Sequence, residues 1–460
     1  MVLFARPLLL VALACVFTFA PALTGTPATG EADRPNVLII VTDDQRVDTF
    51  AAMPRTRAWF ERGGTRFPNT FATTPLCCPS RASIMSGRYA HNHDVETNRS
   101  AALFDERGTL QRYLQEEGFL TAMVGKYLNG WQGDPHYFDR WSTFIDPIRY
   151  YGAKTNVDGR LQTIKGYSTD YVAREAVSVL SGFERTDTDP WYLYVAPLAP
   201  HDPYEPKRSY RRDKVGGWGG NPAVREQDRS DKPSWVTGMR RQTTLKEGRE
   251  IRAGQLRTLL SVDDLVERLR RALVSLGEEQ DTLAFFISDN GKHWGEHGLG
   301  GKQDPYTHSV RIPMYLRWPG HVAQGGDDPR LALNVDVAAT VLDATGASAD
   351  AEHPLDGRSL LAAWDRDHVY SENKFGGQGF PSWSTVRTNS EQYIEWYDED
   401  LETVSFREYY DLTMDPWQLT NLLGDADTSN DPPAHRLTEL SLQIARDRRC
   451  QGTNGAGACP

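Results

Sequence analysis

The chain has 460 residues, 39% of them hydrophobic, with 12 Trp, enough for a sizeable core and long enough that two domains are the natural expectation. With 62 Asp and Glu against 51 Lys and Arg, the formal charge is −11, which argues against general nucleic-acid binding. The N-terminus reads as a secretory leader with a spacer over residues 1–30. Arg6 precedes the apolar run from Pro7 to Phe17, and Ala20-Pro21-Ala22 is a small-residue cleavage site. The run is short for a membrane span, and no other stretch is apolar enough for one. Leu13-Ala14-Cys15 loosely resembles a lipoprotein box, leaving a lipid anchor through Cys15 as the alternative to free export.

Asn36 to Val41 is a β-branched run expected as a strand buried on both faces, as in a parallel sheet. It ends at Thr42-Asp43-Asp44-Gln45. Leu110 to Glu117 is helix-like, and Gly118 to Val124 reads as a second strand ending at Gly125-Lys126. Trp191 to Ala196 is a third, ending before His201. Leu259 to Leu276 is an amphipathic helix, Thr282 to Ser288 a fourth strand ending at Asp289-Asn290, and Ile312 to Arg317 a fifth. In open α/β sheets, sites form outside the carboxyl ends of the strands. The clusters at Asp43-Asp44, Lys126, His201 and Asp289-Asn290 are therefore expected to converge.

Between Glu205 and Gln255 the apolar periodicity fails, and 13 Lys and Arg face 7 Asp and Glu. This is either a solvated insertion loop or a cationic rim for an anionic polymer. After about residue 360 the pattern changes to short strands near Tyr370, Trp383–Arg387, Tyr393–Tyr397 and Glu408–Leu412, with a terminal helix from Leu437 to Arg448. The expected organisation is a large mostly parallel α/β domain over 31–360 and a smaller α+β domain with a short antiparallel sheet over 361–460. Cys450 and Cys459 lie close together in a Gly-rich tail and are candidates for a disulfide, which sequence alone does not pair.

Cys77-Cys78-Pro79-Ser80-Arg81, followed by Met85-Ser86-Gly87-Arg88, is the most informative stretch. Alone, a Cys-Pro dipeptide reads as a buried thiol beside a turn, with a helix starting near Ala82. The extended form, C-x-P-S-R-x-x-x-M-S-G-R, resembles the signature of the sulfatases. That resemblance implies an alkaline phosphatase-like fold and oxidation of Cys77 to formylglycine by a formylglycine-generating enzyme. One hydroxyl of the hydrated aldehyde attacks sulfur and the other expels sulfate. The Gly125-Lys126-Tyr127-Leu128-Asn129 form is similar to the branch of N-acetylglucosamine-6-sulfatases and extracellular heparan 6-sulfatases. The implied substrate is a sulfated carbohydrate.

The Asp43-Asp44 and Asp289-Asn290 pairs, both at strand ends, favour a shared divalent cation over a pair of turns or caps, and the hard oxygen donors favour calcium or magnesium over zinc. The resemblance makes calcium the choice, held by Asp43, Asp44, Asp289, Asn290 and residue 77. It also implies that Arg81, Lys126 and Lys302 contact sulfate and that His201 protonates the leaving oxygen. The family's usual histidine two residues after the lysine is here Leu128, so Asn129, His91 or His93 stands as its replacement. His293-Trp294-Gly295-Glu296-His297 matches H-x-x-E-H, but the surrounding glycines favour a loop over a zinc-protease helix. Two alternatives stay open: a phosphonate or phosphodiester hydrolase on this fold, and a glycan-binding protein unmodified at Cys77.

Overall fold

The computed structural model describes residues 1–2, 34–145, 149–186, 189–374 and 381–460. The expected leader, with its cleavage site and Cys15, lies outside the described residues apart from its first two. Among the described residues, no helix is long and apolar enough to cross a membrane.

The strand Asn36–Thr42 lies at the centre of a ten-stranded sheet. It pairs in parallel with Trp191–Ala196 on one side and Thr282–Ser288 on the other. Leu120–Gly125 and Arg140–Phe144 continue the parallel run. A hairpin of Lys154–Val157 and Arg160–Thr163 closes one end in antiparallel fashion. At the other end Met314–Arg317 runs antiparallel to Thr282–Ser288, followed by the short strands Thr65–Arg66 and Gly326–Asp327. The strand expected at Ile312 thus begins two residues later and reverses direction.

Period-two alternation sends each strand's side chains to two cores. Val37, Ile39 and Val41 point to the layer built by helices Cys77–Ser86, Leu110–Glu116 and Asp336–Thr345. Leu38 and Ile40 point to the layer of Ser168–Thr186 and Leu245–Leu276. A parallel sheet covered on both faces explains why its strands read as unbroken apolar runs.

Two helices differ from expectation. Cys77–Ser86 starts five residues before Ala82, because Pro79 sits in its first turn, where a missing N–H costs nothing. The helix expected from Leu259 is the second half of Leu245–Leu276, which absorbs the end of the segment read as a loop or rim. A capping box starts it: Thr244 Oγ1 accepts from Glu247 N at 3.2 Å and Glu247 Oε2 accepts from Thr244 N at 2.8 Å.

Val369–Asn373, Ser382–Arg387, Glu391–Tyr397 and Val404–Asp411 form an antiparallel sheet in chain order. Trp383, Ile394, Trp396 and Tyr410 pack onto Leu299, Tyr306 and Val310 of the loops beyond the large sheet. On the other side, Val386 and Tyr393 meet Leu440 and Ile444 of the helix Ala434–Asp447. Cys450 and Cys459 are bonded, with Cα atoms 4.9 Å apart.

Gly248 lies inside the long helix, where Gly→Ala ordinarily stabilises by about 0.5–1 kcal/mol. Here a Cβ would stand 1.7 Å from the Trp294 carbonyl oxygen. Gly248→Ala should instead destabilise by about 1–3 kcal/mol. Urea unfolding of the variant checks the sign.

Candidate active site

Four strands of the parallel run end at one edge. Thr42 is level with Ser288, and Gly125 with Ala196. The residues that follow them turn inward. Gly125 has φ +115°, and a Cβ there would stand 2.0 Å from the Ala196 carbonyl oxygen, so only glycine aims Lys126 at this point. Asp44 adopts φ +64°, a strained state for a side-chain-bearing residue. Its N–H donates to Asp289 Oδ1 at 3.1 Å, and its carbonyl accepts from Gln255 Nε2 at 2.8 Å.

The helix Cys77–Ser86 enters this edge N-terminus first, and every one of its residues is buried. Cys77 and Arg81 are four apart and share a helix face. Arg81 Nε donates to Asp289 Oδ2 at 2.8 Å, one Nη to the Lys126 carbonyl at 2.8 Å, and the other Nη lies 3.6 Å from Asp43 without a hydrogen bond. Ser80 Oγ donates to the Asp289 carbonyl, and Asn334 Nδ2 donates to Ser80 Oγ at 2.9 Å. Cys77 Sγ lies 2.8 Å from Lys302 Nζ and 3.5 Å from Asp43 Oδ1. Lys302 also reaches Asp44 Oδ1 and Asn290 Oδ1, the latter at 3.3 Å, and Lys126 pairs with Asp43 Oδ2. The structure therefore brings together all nine residues singled out for nucleophile, cation and sulfate: Asp43, Asp44, Cys77, Arg81, Lys126, His201, Asp289, Asn290 and Lys302.

Cys78 points the other way. Its Sγ accepts from Asn129 N at 2.9 Å, and burial, then the neighbouring Cys77, pushes the thiol up to about 12. It stays protonated and unreactive. Of the three proposed substitutes for the missing histidine, His91 is engaged by Glu372 at 2.7 Å and the Cys450 carbonyl at 3.0 Å and His93 by Ser83 at 3.0 Å, whereas Asn129 bonds Cys78 through its backbone and its side-chain Oδ1 is buried without a partner. Leu128 itself is core.

Electrostatics favour the ionised forms of Asp44 and His201 and oppose that of Asp289. Burial raises Asp44, but Lys302, Lys292 and His201 outweigh it and hold the carboxylate well below its usual range. Burial raises Asp289, and repulsion from Asp43 adds to this. Burial lowers His201, but Asp44 and Asp43 more than reverse it, leaving His201 at about 9. His201 Nδ1 faces the Asp202 carbonyl at 2.8 Å, and Nε2 lies 3.8 Å from Asp44 Oδ2.

The sequence reading passed over Lys292, which lies 3.4 Å from Asp44 Oδ2. A lysine after Asp289-Asn290-Gly291 was a legible sign of a further cation there. It also missed Gln255 and Asn334, which act on backbone and carry no sequence signature. The H-x-x-E-H residues do not share an α-helix face: φ is +109° at Gly295 and +54° at His297, and although His293 Nδ1 lies 3.7 Å from Glu296 Oε2, His297 turns to Glu226 at 3.0 Å.

The acidic residues suit a metal ion. Asp44 Oδ2 is buried without a hydrogen-bond partner, and ligand atoms of Asp43, Asp44, Cys77 and His201 all lie within 4.8 Å of one another. Two of these four donors are carboxylate oxygens, the ligand type a hard cation prefers.

The sulfatase family model matches residues 35–347, and the model for the N-sulphoglucosamine sulphohydrolase C-terminal region matches 295–441. The chain is 31% identical over 353 residues to a Sulf-1 extracellular sulfatase homologue of Caenorhabditis elegans, covering 71% of this chain and 48% of that protein. It thus spans about half the length of this relative. It is 28% identical over 486 residues to N-acetylglucosamine-6-sulfatase of Homo sapiens, covering 91% of this chain and 85% of the relative. A structure solved in complex with its substrate D-glucosamine-2-N,6-O-disulfate matches with a TM-score of 0.73 at 23% identity, over 90% of this chain and 97% of that one. The fold is the alkaline phosphatase-like α/β architecture. Within it, the chain belongs to the sulfatase family.

Arg81→Met would leave the buried Asp289 and Asp43 carboxylates without their guanidinium. The expected loss of stability is about 3–5 kcal/mol, with partial recovery in Arg81→Lys, read by urea unfolding.

Proposed function

We propose that this protein hydrolyses O-sulfate esters of a sulfated carbohydrate of the 6-O-sulfated glucosamine type. One observation carries the reading. Around Cys77 three buried carboxylates, Asp43, Asp44 and Asp289, face four permanent cations, Arg81, Lys126, Lys292 and Lys302. A protonated His201 adds a fifth positive charge. A buried cluster with surplus positive charge is completed by an anionic substrate.

Oxidised to formylglycine, residue 77 would supply a gem-diol that attacks sulfur and later releases sulfate by re-forming the aldehyde. Asp43, Asp44, Asp289 and Asn290 would hold a calcium ion with it, and the bound ion would supply charge stabilisation at the sulfate oxygens. Lys126 and Lys302 flank residue 77 and offset charge that develops on sulfate. Arg81 fixes Asp289 and the Lys126 backbone, and keeps one Nη corner unbonded toward Asp43. His201 holds a proton on the side facing Asp44 and Cys77 and delivers it to the departing sugar oxygen. With residues 1–30 read as an export leader, the enzyme would act outside the cytoplasm, and Cys77 would need a formylglycine-generating enzyme for its maturation.

Peptide mass spectrometry over residues 73–88 of protein from its native host should show a loss of about 18 Da at Cys77, the thiol-to-aldehyde change. An intact thiol there would move the glycan-binding alternative to the front. Cys77→Ala should abolish turnover, whereas Cys78→Ala keeps part of it. Faster turnover of an aryl phosphodiester than of an aryl sulfate would favour the phosphodiesterase alternative.

A general acid works only while protonated, so the raised pKa of His201 keeps it competent at neutral pH. The rate on sugar sulfates should fall as pH rises through the pKa of His201, which Asp44 and Asp43 hold above its usual value. His201→Ala should lose about 10²–10⁴-fold on a sugar sulfate and much less on a nitrophenyl sulfate, whose leaving group needs no proton. Equal losses on both would remove His201 from the acid role.

A further inference from the structure

The buried stripe of the helix Leu245–Leu276 carries one residue that breaks its pattern. Leu259, Val262, Val266, Leu269 and Leu273 recur at helical spacing and are fully buried. Gln255 lies four residues before Leu259, on the same stripe, and has no exposed surface. A buried amide is costly unless its hydrogen bonds are made, and an apolar side chain would avoid that cost. The reason for an amide at this position lies in what it bonds.

Gln255 joins three loops of the site. Its Nε2 donates to the Asp44 carbonyl at 2.8 Å and, at a longer 3.4 Å, to the Pro200 carbonyl. Its Oε1 accepts from Trp294 Nε1 at 2.6 Å. The three partners follow the strands Asn36–Thr42, Trp191–Ala196 and Thr282–Ser288. These contacts fix the orientation of the amide. Flipped, it would set Oε1 against two carbonyl oxygens and Nε2 against an indole N–H, which only donates. Arg46 lies over the Trp294 ring, 3.7 Å from its centroid, and donates to the Lys292 carbonyl at 3.3 Å.

Two of these loops send a cation to one oxygen of the third. Asp44 Oδ2 lies 3.8 Å from His201 Nε2 and 3.4 Å from Lys292 Nζ. His201 directly follows Pro200, and its own carbonyl accepts from Tyr150 Oη at 2.7 Å. Asp44 holds its φ of +64° only because its surroundings over-determine it, and Gln255 is one of those surroundings.

We infer that Gln255 is a positioning residue for the general acid, setting His201 and Asp44 against each other by tying the carbonyls of Pro200 and Asp44 to one amide nitrogen. It acts from behind both loops and does not touch the reacting atoms. This inference rests on the sulfatase reading and deepens it by naming what places His201.

Gln255→Glu tests it, because it keeps the shape and the acceptor for Trp294 but sets an oxygen against both carbonyls. Misplacing a group by about 1 Å can cost about 10²-fold, so kcat on a sugar sulfate should fall about 10–100-fold, with KM little changed and a smaller fall on nitrophenyl sulfate. Combined with His201→Ala, it should lose no more than His201→Ala alone, since both act through one group. Trp294→Phe keeps the ring under Arg46 and removes the N–H that orients the amide. It should show the same pattern more weakly, and it carries the test if urea unfolding shows that Gln255→Glu does not fold. Ring resonances of ¹⁵N-labelled histidines give a reading apart from turnover, with His201 assigned by its absence in His201→Ala. In the folded variant the His201 signals should shift, while those of His368, bonded to Asp447 in the C-terminal region, stay in place. Unmoved His201 signals, equal losses on both substrates or additive losses in the double variant would overturn the positioning role and leave the sulfatase reading standing. Shifted His201 signals in a protein whose wild type turns over neither sulfate would sink the sulfatase reading and keep the positioning role.

Discussion

Everything at the active edge depends on the pairing of three fully buried carboxylates with surrounding cations. Asp43, Asp44 and Asp289 have no exposed surface. Burying one such charge unpaired costs several kcal/mol, so none of the three is tolerable without its partners. Arg81 serves Asp289, Lys126 serves Asp43, and Lys302 with Lys292 serves Asp44. Asp44 Oδ2 still lacks a hydrogen bond, which is the feature that makes the site fit a metal rather than a closed salt-bridge network.

The scaffold's contribution is to deliver those charges from distant parts of the chain to one point. Parallel strands all end at the same edge, so residues as far apart as 43, 126, 201 and 289 meet without long excursions of backbone. Cys77 arrives differently, on a helix whose residues are all buried. Ser80 ties its first turn to the Asp289 carbonyl, and Arg81 ties the next turn to Asp289 and Lys126. A rigid support of this kind keeps residue 77 at a fixed distance from the cations, which proximity catalysis requires.

Much of this was legible in the sequence because chemistry and periodicity coincide. The apolar runs before Asp43, Lys126, His201 and Asp289 fix both the strands and the edge where the site forms. Cys77 and Arg81 are recognisable from the motif around them. What could not be read falls into a few physical classes. Gln255 bonds the Asp44 carbonyl, and Asn334 bonds the Ser80 hydroxyl and the Thr73 N–H, all far away in sequence, and a buried amide has no pattern of its own. The helix Leu245–Leu276 begins within a highly charged segment, so its first turns show no apolar stripe. Its capping box at Thr244 and Glu247 was the missed signal. Leu128 was read as a vacancy in a catalytic set, whereas the fold uses it as core.

The two levels of the site also differ in where their residues come from. The groups gathered around Cys77 arise from the loops after the parallel strands and from the helix Cys77–Ser86. Beside them a cavity has His308, Pro416 and Trp417 in its wall, and the last two come after the antiparallel sheet, whose last strand ends at Asp411. That sheet packs on Tyr306 and Val310, and Arg387 from its second strand holds Thr307 from behind. The C-terminal region is thus built onto the loop that runs from Lys302 to Arg311. A change in its packing would shift the wall formed by His308, Pro416 and Trp417 while leaving the strand ends in place, because different structural layers hold them.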